Sequence, residues 1–225
     1  MRGNRRGICV GIAAGALAAA MGGVGQQQVA WAGTPTVSVP APTSSSLGVK
    51  PKRAAEYKEA LAELRARWSK VAGLMRGVLT GGDAIAEAMR PLIGSQEPND
   101  EANLALVQSR AAMKITYVKQ LRPGLLIPES KAIAKIGRRC EGLVQTKDDR
   151  EFISFEFGKL KGVFEAWMLA TISDELTTGL QKLANGDIDG WTSEKKNVED
   201  SLASAERAFA KYYDILVVFQ NQPRS

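Results

Sequence analysis

The sequence predicts an all-α protein, an antiparallel up-down-up-down four-helix bundle that follows an extended, proline-rich N-terminal arm. Two stretches place apolar residues at alternating spacings of four and three, the pattern of a helix that packs along one face. The first seam comprises Tyr57, Leu61, Leu64, Trp68, Val71, Met75 and Val78, and the second comprises Val198, Leu202, Ala205, Phe209, Tyr212, Leu216 and Phe219. The sequence contains no convincing period-two segment of the kind that indicates a strand. Two regular helices, two further amphipathic segments and short connections favour a bundle.

Residues 1–32 have the features of a cleaved export signal. Arg5-Arg6 supply a positive n-region, Ile8 begins an apolar run rich in alanine and glycine, and Ala30-Trp31-Ala32 is a small-x-small cleavage site. The mature chain is therefore expected to begin at Gly33. The paired arginines resemble a twin-arginine signal, and an ordinary Sec-type signal fits as well. Either signal indicates a periplasm or a thylakoid lumen.

Loss of this signal changes the charge of the protein. The chain carries 30 basic and 24 acidic residues, a formal net charge of +6, and removal of Arg2, Arg5 and Arg6 reduces it to +3. Much of the basic excess therefore belongs to the signal, so no nucleic-acid partner is expected. Cys9 leaves with the signal, and Cys140 then has no partner for an intramolecular disulfide.

The sequence contains no histidine. This removes the commonest general base, the base of Ser-His and Cys-His pairs, and the usual ligand of zinc, copper and haem. A carboxylate-only enzyme stays conceivable, but no inward-facing pair of acids is visible. We therefore expect a non-catalytic protein without a cofactor or a metal site.

The segment 33–52 is rich in proline, serine and threonine, and Pro35, Pro40 and Pro42 favour an extended conformation. It is interpreted either as a flexible leader or as an arm that binds a partner, with Pro51-Lys52-Arg53 as its basic hinge. The helical bundle is expected to span residues 53–222.

The first helix is predicted to begin near Pro51, because proline suits the first helical turn. Gly81-Gly82 should end it, and Asp83 should cap a short satellite helix over 84–89 that Pro91 disturbs.

A second helix is predicted over 100–121, with Pro123-Gly124 as its stop and an unusually apolar loop over 125–128. A third helical region should cover 129–184, with an interruption around 145–149. The last helix is expected from Ser193 to about Asn221, after turn residues at 185–190.

Two sequence features invite a chemical interpretation. Residues 185–190, Asn-Gly-Asp-Ile-Asp-Gly, match the first ligand positions of an EF-hand loop, but Lys196 stands where the bidentate glutamate belongs. A helix-capping turn is the favoured interpretation. Cys140 follows Arg138-Arg139, which would lower its pKa if it were exposed, although a lone thiol on a helix more often packs in a core.

Five basic residues are candidates for partner docking near the starts of the first and last helices: Lys50, Lys52, Arg53, Lys195 and Lys196. They are interpreted either as solvated surface charges or as an electrostatic docking face.

The organisation of the chain resembles one protein family. The signal with Arg5-Arg6, the proline-rich arm, the four helices and the ending Ala-Glu-Arg-Ala-Phe-Ala-Lys-Tyr-Tyr at 205–213 look like the PsbQ-type extrinsic subunits of photosystem II. The resemblance implies a non-catalytic subunit in the thylakoid lumen, peripheral at the membrane. Its partners would be the photosystem II core and other extrinsic subunits, and it would help to retain calcium and chloride at the oxygen-evolving centre. The alternative is a bacterial periplasmic helical-bundle binding or adaptor protein unrelated to photosynthesis.

Overall fold

The computed structural model describes the backbone of residues 51–221 and the side chains of residues 53–220, and within this part every regular element is helical. The elements are α1 (Pro51–Met89), α2 (Asp100–Leu121), a first π-helical segment (Arg122–Leu126), α3 (Ile127–Leu143), α4 (Lys147–Val163), a second π-helical segment (Phe164–Thr171), α5 (Ile172–Ala184) and α6 (Ile188–Asn221). The predicted all-α fold is confirmed for these residues. The predicted export signal and most of the arm lie outside them.

The eight elements form four long helical segments around one apolar core, because α2 runs into α3 and α4 into α5 without a break in helical structure. All seven residues of the first predicted seam are buried. In the second seam, Tyr212 and Phe219 are only half-buried. At the centre, Trp68 stacks on Phe209 with ring centroids 4.2 Å apart and meets the ring of Phe164 edge-on at 5.9 Å. Such contacts add to the burial of the aromatic surfaces themselves.

The prediction that Gly81-Gly82 ends the first helix is wrong, since α1 continues through both glycines to Met89. The reason is a contact with α6. The indole of Trp191 lies where a side chain at Gly82 would stand, and its Nε1 donates a hydrogen bond to Asp83 Oδ1 at 3.1 Å. Gly82 is therefore a packing site, and Asp83 accepts from another helix instead of capping a satellite.

The predicted stop at Pro123-Gly124 is also wrong. Helix α2 has the predicted bounds, but the chain continues through the first π-helical segment into α3. Proline lacks an N–H and crowds the preceding turn of an α-helix, and a wider π turn accommodates it. The apolar stretch is therefore helical instead of a loop, and Leu126 within it is fully buried.

The third helical region is interrupted as expected, but at 144–146 instead of 145–149, because α4 already begins at Lys147. The Thr146 hydroxyl accepts a hydrogen bond from the backbone N–H of Asp149 at 3.1 Å and so caps α4.

Helix α6 begins at Ile188, five residues before the predicted start. Gly186 adopts a positive φ of 84°, and the N–H groups of Gly186 and Asp187 reach back to carbonyls of the last turn of α5. This is the backbone pattern of a Schellman C-cap. Asp187 then caps α6, since its Oδ1 accepts from the N–H of Gly190 at 2.7 Å. The capping turn predicted for residues 185–190 is confirmed, and the earlier start places Trp191 in the core.

We predict that Gly82→Ala and Gly77→Ala change stability in opposite directions. Alanine at Gly82 has to displace the Trp191 indole and should lower the free energy of unfolding by about 1–3 kcal/mol. At Gly77, which is exposed with open space around it, the same change should raise it by about 0.5–1 kcal/mol, as expected inside a helix. Urea unfolding measures both, and a stabilising Gly82→Ala variant would contradict the packing described for α1.

Candidate partner-binding surfaces

The structure separates the basic residues that the sequence suggested for docking. Lys50 lies outside the described residues, and Lys52 lies in the first turn of α1 with its side chain outside the described part. Arg53 is exposed near the start of α1, whereas Lys195 and Lys196 lie in the first turns of α6.

The beginnings of α1 and α6 lie at different levels of the bundle. Lys195 contacts Asp83, which follows Arg53 by 30 residues of continuous helix, or roughly 45 Å. Arg53 and Lys195 therefore do not form a common basic surface.

Lys195 is also neutralised by its own neighbours. Its Nζ lies 2.8 Å from Asp83 Oδ2 and 3.7 Å from Glu199 Oε1. The hydrogen bond to Asp83 is the main cause that raises the pKa of Lys195 above its usual value. The neighbouring Lys196 is exposed instead, so it is the residue of this pair that presents its charge to solvent.

A groove of about 340 Å³ lies between α1 and α6 beside Lys195. Leu79 and Leu202 contribute its apolar lining. Arg76 contacts Glu206 across it, as Lys195 contacts Asp83, so each cation of the groove faces a carboxylate. Such an arrangement joins α1 to α6 and offers a ligand little excess charge of either sign.

A second set of ion pairs joins α1 to α3. Arg67 donates to Glu63 and to the buried Glu129, at 2.9 Å in both cases. Next to Glu129, the Ser130 hydroxyl donates to Glu165 at 2.7 Å, and this hydrogen bond is the main cause that lowers the pKa of the Glu165 carboxyl. These hydrogen bonds connect neighbouring helical segments and provide the buried Glu129 carboxylate with a donor. The cluster is therefore explained by its role in helix packing.

An exposed aromatic surface between α4 and α6 was not predicted from the sequence. We define the α4–α6 aromatic surface by Phe152, Phe155, Tyr212 and Phe219. The ring of Phe152 stacks on Phe219 at 5.1 Å, yet Phe152 is 37% exposed and Phe155 is 62% exposed. Tyr212 and Phe219 belong to the second predicted seam.

The helical spacing of apolar residues in α4 indicates that Phe152 and Phe155 lie outside its buried face. The buried face of α4 consists of Ile153, Phe157 and Leu160, which follow one another at spacings of four and three. Phe152 and Phe155 fall outside that series, so a strict helical register places them beside the core.

Two lysines lie over rings of this surface: Lys211 Nζ is 5.9 Å from the Tyr212 centroid, and Lys159 lies closer. Lys159 Nζ is 4.0 Å from the ring centroid of Phe155 and 5.4 Å from that of Tyr212. The same ammonium donates a hydrogen bond of 2.8 Å to Glu156 Oε1. Glu156 is a buried acid whose side chain is 5% exposed, so the aromatic surface encloses an ion pair at its edge.

Cys140 lies in the core and does not face solvent. Burial is the main cause that raises the pKa of its thiol to about 12, against the opposing effect of Arg139. The interpretation of Cys140 as a packing residue is confirmed, and its thiol lacks the exposure and the lowered pKa of a reactive cysteine.

Two further observations concern residues 51–221. This part holds no group of three or more Asp, Glu, His or Cys side chains arranged to bind a metal ion. None of its helices is both long and apolar enough to cross a bilayer.

No family model matches the sequence, and neither a curated protein nor a solved structure matches it.

We predict that Asp83→Ala lowers the free energy of unfolding by about 1–3 kcal/mol, because the Trp191 N–H then stays buried without its acceptor. Glu87→Ala, one turn later in α1, is the matched control. Glu87 is exposed, and among the described side chains it forms an ion pair with Arg90 alone, so its loss should change stability by less than about 0.5 kcal/mol. Equal losses in urea unfolding would show that the hydrogen bond to Trp191 contributes nothing.

Proposed function

We propose that this protein is a non-catalytic extrinsic subunit that docks on the lumenal face of photosystem II. In this proposal it stabilises the oxygen-evolving centre by helping to retain calcium and chloride. Its partners are the photosystem II core and other extrinsic subunits, and it is peripheral at the thylakoid membrane. The observation that supports a docking role best is the α4–α6 aromatic surface.

The fold proposed for this subunit is an antiparallel up-down-up-down four-helix bundle with an extended N-terminal arm. Two contacts between α1 and α6 support the antiparallel order. Gln220, near the end of α6, donates to the carbonyl of Ala54, near the start of α1. Trp191, near the start of α6, donates to Asp83, near the end of α1.

The aromatic surface supports docking for an energetic reason. Exposed aromatic side chains on a soluble helical surface lose contact with water when a partner covers them, and aromatic residues contribute disproportionately to binding at the centres of protein interfaces. Phe155 is the most exposed large apolar side chain of the described residues. Covering its exposed 62% completely is favourable by roughly 1–2 kcal/mol.

The compartment in the proposal follows from the export signal, with its Arg5-Arg6 pair and Ala30-Trp31-Ala32. Both the thylakoid lumen and a bacterial periplasm receive proteins with such signals. The resemblance in the organisation of the chain favours the lumen. The periplasmic adaptor would use the same aromatic surface on a different partner, and rebinding experiments separate the two.

We predict that Phe155→Ala weakens rebinding of the mature protein to salt-washed photosystem II membranes by roughly tenfold or more, because it removes the most exposed anchor. Stability in urea should change by less than about 0.5 kcal/mol, since the ring is largely in solvent. Met113→Ala is the matched control, because Met113 is nearly as exposed, at 56% against 62%, but lies on α2, and it should rebind normally.

Rebinding and restored oxygen evolution, measured with membranes from the protein's own source, decide between the proposals. If Phe155→Ala and Met113→Ala both rebind like the unaltered protein, the aromatic surface is not the docking face. If the unaltered mature protein itself fails to rebind, the photosystem role is wrong and the periplasmic alternative is favoured.

We also predict that deletion of residues 33–50 weakens rebinding while circular dichroism stays unchanged. The deleted segment precedes α1, and extended arms supply contacts that a helical bundle lacks. Binding of the intact protein should weaken as ionic strength rises, because salt screens opposite charges that steer the encounter. A truncated protein that rebinds and restores oxygen evolution fully would identify the segment as a leader only.

A further inference from the structure

The Lys159 ammonium occupies a site built from two rings and a buried carboxylate. The rings are those of Phe155 and Tyr212, with centroids at 4.0 and 5.4 Å, and the carboxylate is that of Glu156 at 2.8 Å. Ring faces and a carboxylate together are the groups that bind organic cations in proteins, since the electron-rich faces and the negative charge attract the same ligand. The position of the Lys159 ammonium thus indicates that the site binds an organic cation.

Only one of the two oxygens of the Glu156 carboxylate accepts a hydrogen bond from a described residue. Oε1 accepts from Lys159, whereas the buried Oε2 has no hydrogen-bond partner among the described residues. A buried carboxylate oxygen without a donor is costly, and native structures contain few of them. The Lys159 ammonium has three donors but lies on the Oε1 side and leaves Oε2 unsatisfied. A guanidinium presents two parallel N–H donors that match both oxygens of one carboxylate.

Access to the site is open on one side. Phe155 is 62% exposed and the Lys159 side chain is 33% exposed, so an incoming group reaches the ring face from solvent. Lysine is flexible and strongly hydrated, and it can move its charge into water without leaving the helix.

We propose that Glu156, Phe155 and Tyr212 form a receptor for an arginine side chain of the docking partner, and that Lys159 holds the site until the partner arrives. In this proposal Lys159 turns to solvent and uncovers the Glu156 carboxylate, which then rotates so that the guanidinium stacked on Phe155 donates to both of its oxygens. This inference rests on the proposed docking function and specifies the chemistry of the partner at one point of the aromatic surface.

The experiment uses the isolated mature protein and so does not depend on photosystem II. Lys159→Ala opens the site, and the probe is Nα-acetylarginine amide, compared with Nα-acetyllysine amide. At a probe concentration a few times its Kd, the arginine compound should raise the Tm of Lys159→Ala by roughly 2–4 °C. The lysine compound should raise it less. The matched control is the double variant Lys159→Ala with Glu156→Gln, in which neither compound should raise the Tm.

A second measurement covers the case in which Lys159→Ala does not fold. In the unaltered protein, ring resonances of Phe155 and Tyr212 should shift on titration with the arginine compound, and those of Phe164 in the core should not. The proposal is overturned if the Tm of Lys159→Ala does not rise, or if it rises equally in the double variant. It is also overturned if the lysine compound binds as tightly as the arginine compound. None of these measurements involves photosystem II, so their outcome leaves the docking proposal to be tested by the rebinding experiments.

Discussion

The indole of Trp191 fixes the positions of three helices at once. It belongs to α6 and lies against Gly82 of α1 and Gly179 of α5. A side chain at Gly82 would collide with the indole, and one at Gly179 would press tightly against it. Its N–H donates to Asp83, so the ring has one orientation in which its polar atom is satisfied. Much of the remaining arrangement at this level of the bundle follows from that single buried ring.

The continuity of α1 depends on this contact. Two adjacent glycines weaken a helix by roughly 1–2 kcal/mol relative to alanine, and the buried face of Trp191 offsets that cost. Because α1 stays helical to Met89, Asp83 and Arg76 face α6 along one side. Asp83 pairs with Lys195 and Arg76 pairs with Glu206, and both ion pairs line the groove. Lys195, which the sequence suggested for docking, is therefore neutralised by Asp83 within the bundle.

The aromatic residues of the described helices have two different roles, in the core and on the surface, and the two predicted seams distinguish only the core role. Trp68 and Phe209 stand at the centres of regular seams, and they stack in the core as the spacing predicts. Phe155 lies on the same kind of amphipathic helix but outside the core register, and it faces solvent beside Lys159. Helical periodicity identifies which residues share a face, whereas the exposure of that face depends on how closely the next helix packs. The candidate surface therefore could not be found from seams alone.

The sequence by itself determined the all-α class, the buried first seam, the bounds of α2, the interruption before α4 and the capping turn before α6. These features depend on residues within a few positions of one another, through periodicity, capping and turn geometry. Only the tertiary structure decided that α1 passes Gly82, that the chain stays helical at Pro123, and that Arg53 and Lys195 lie apart. The first and third of these outcomes depend on side chains distant in sequence, such as Trp191, whose packing outweighs a local preference of about 1 kcal/mol. The second depends on the π turn that accommodates Pro123.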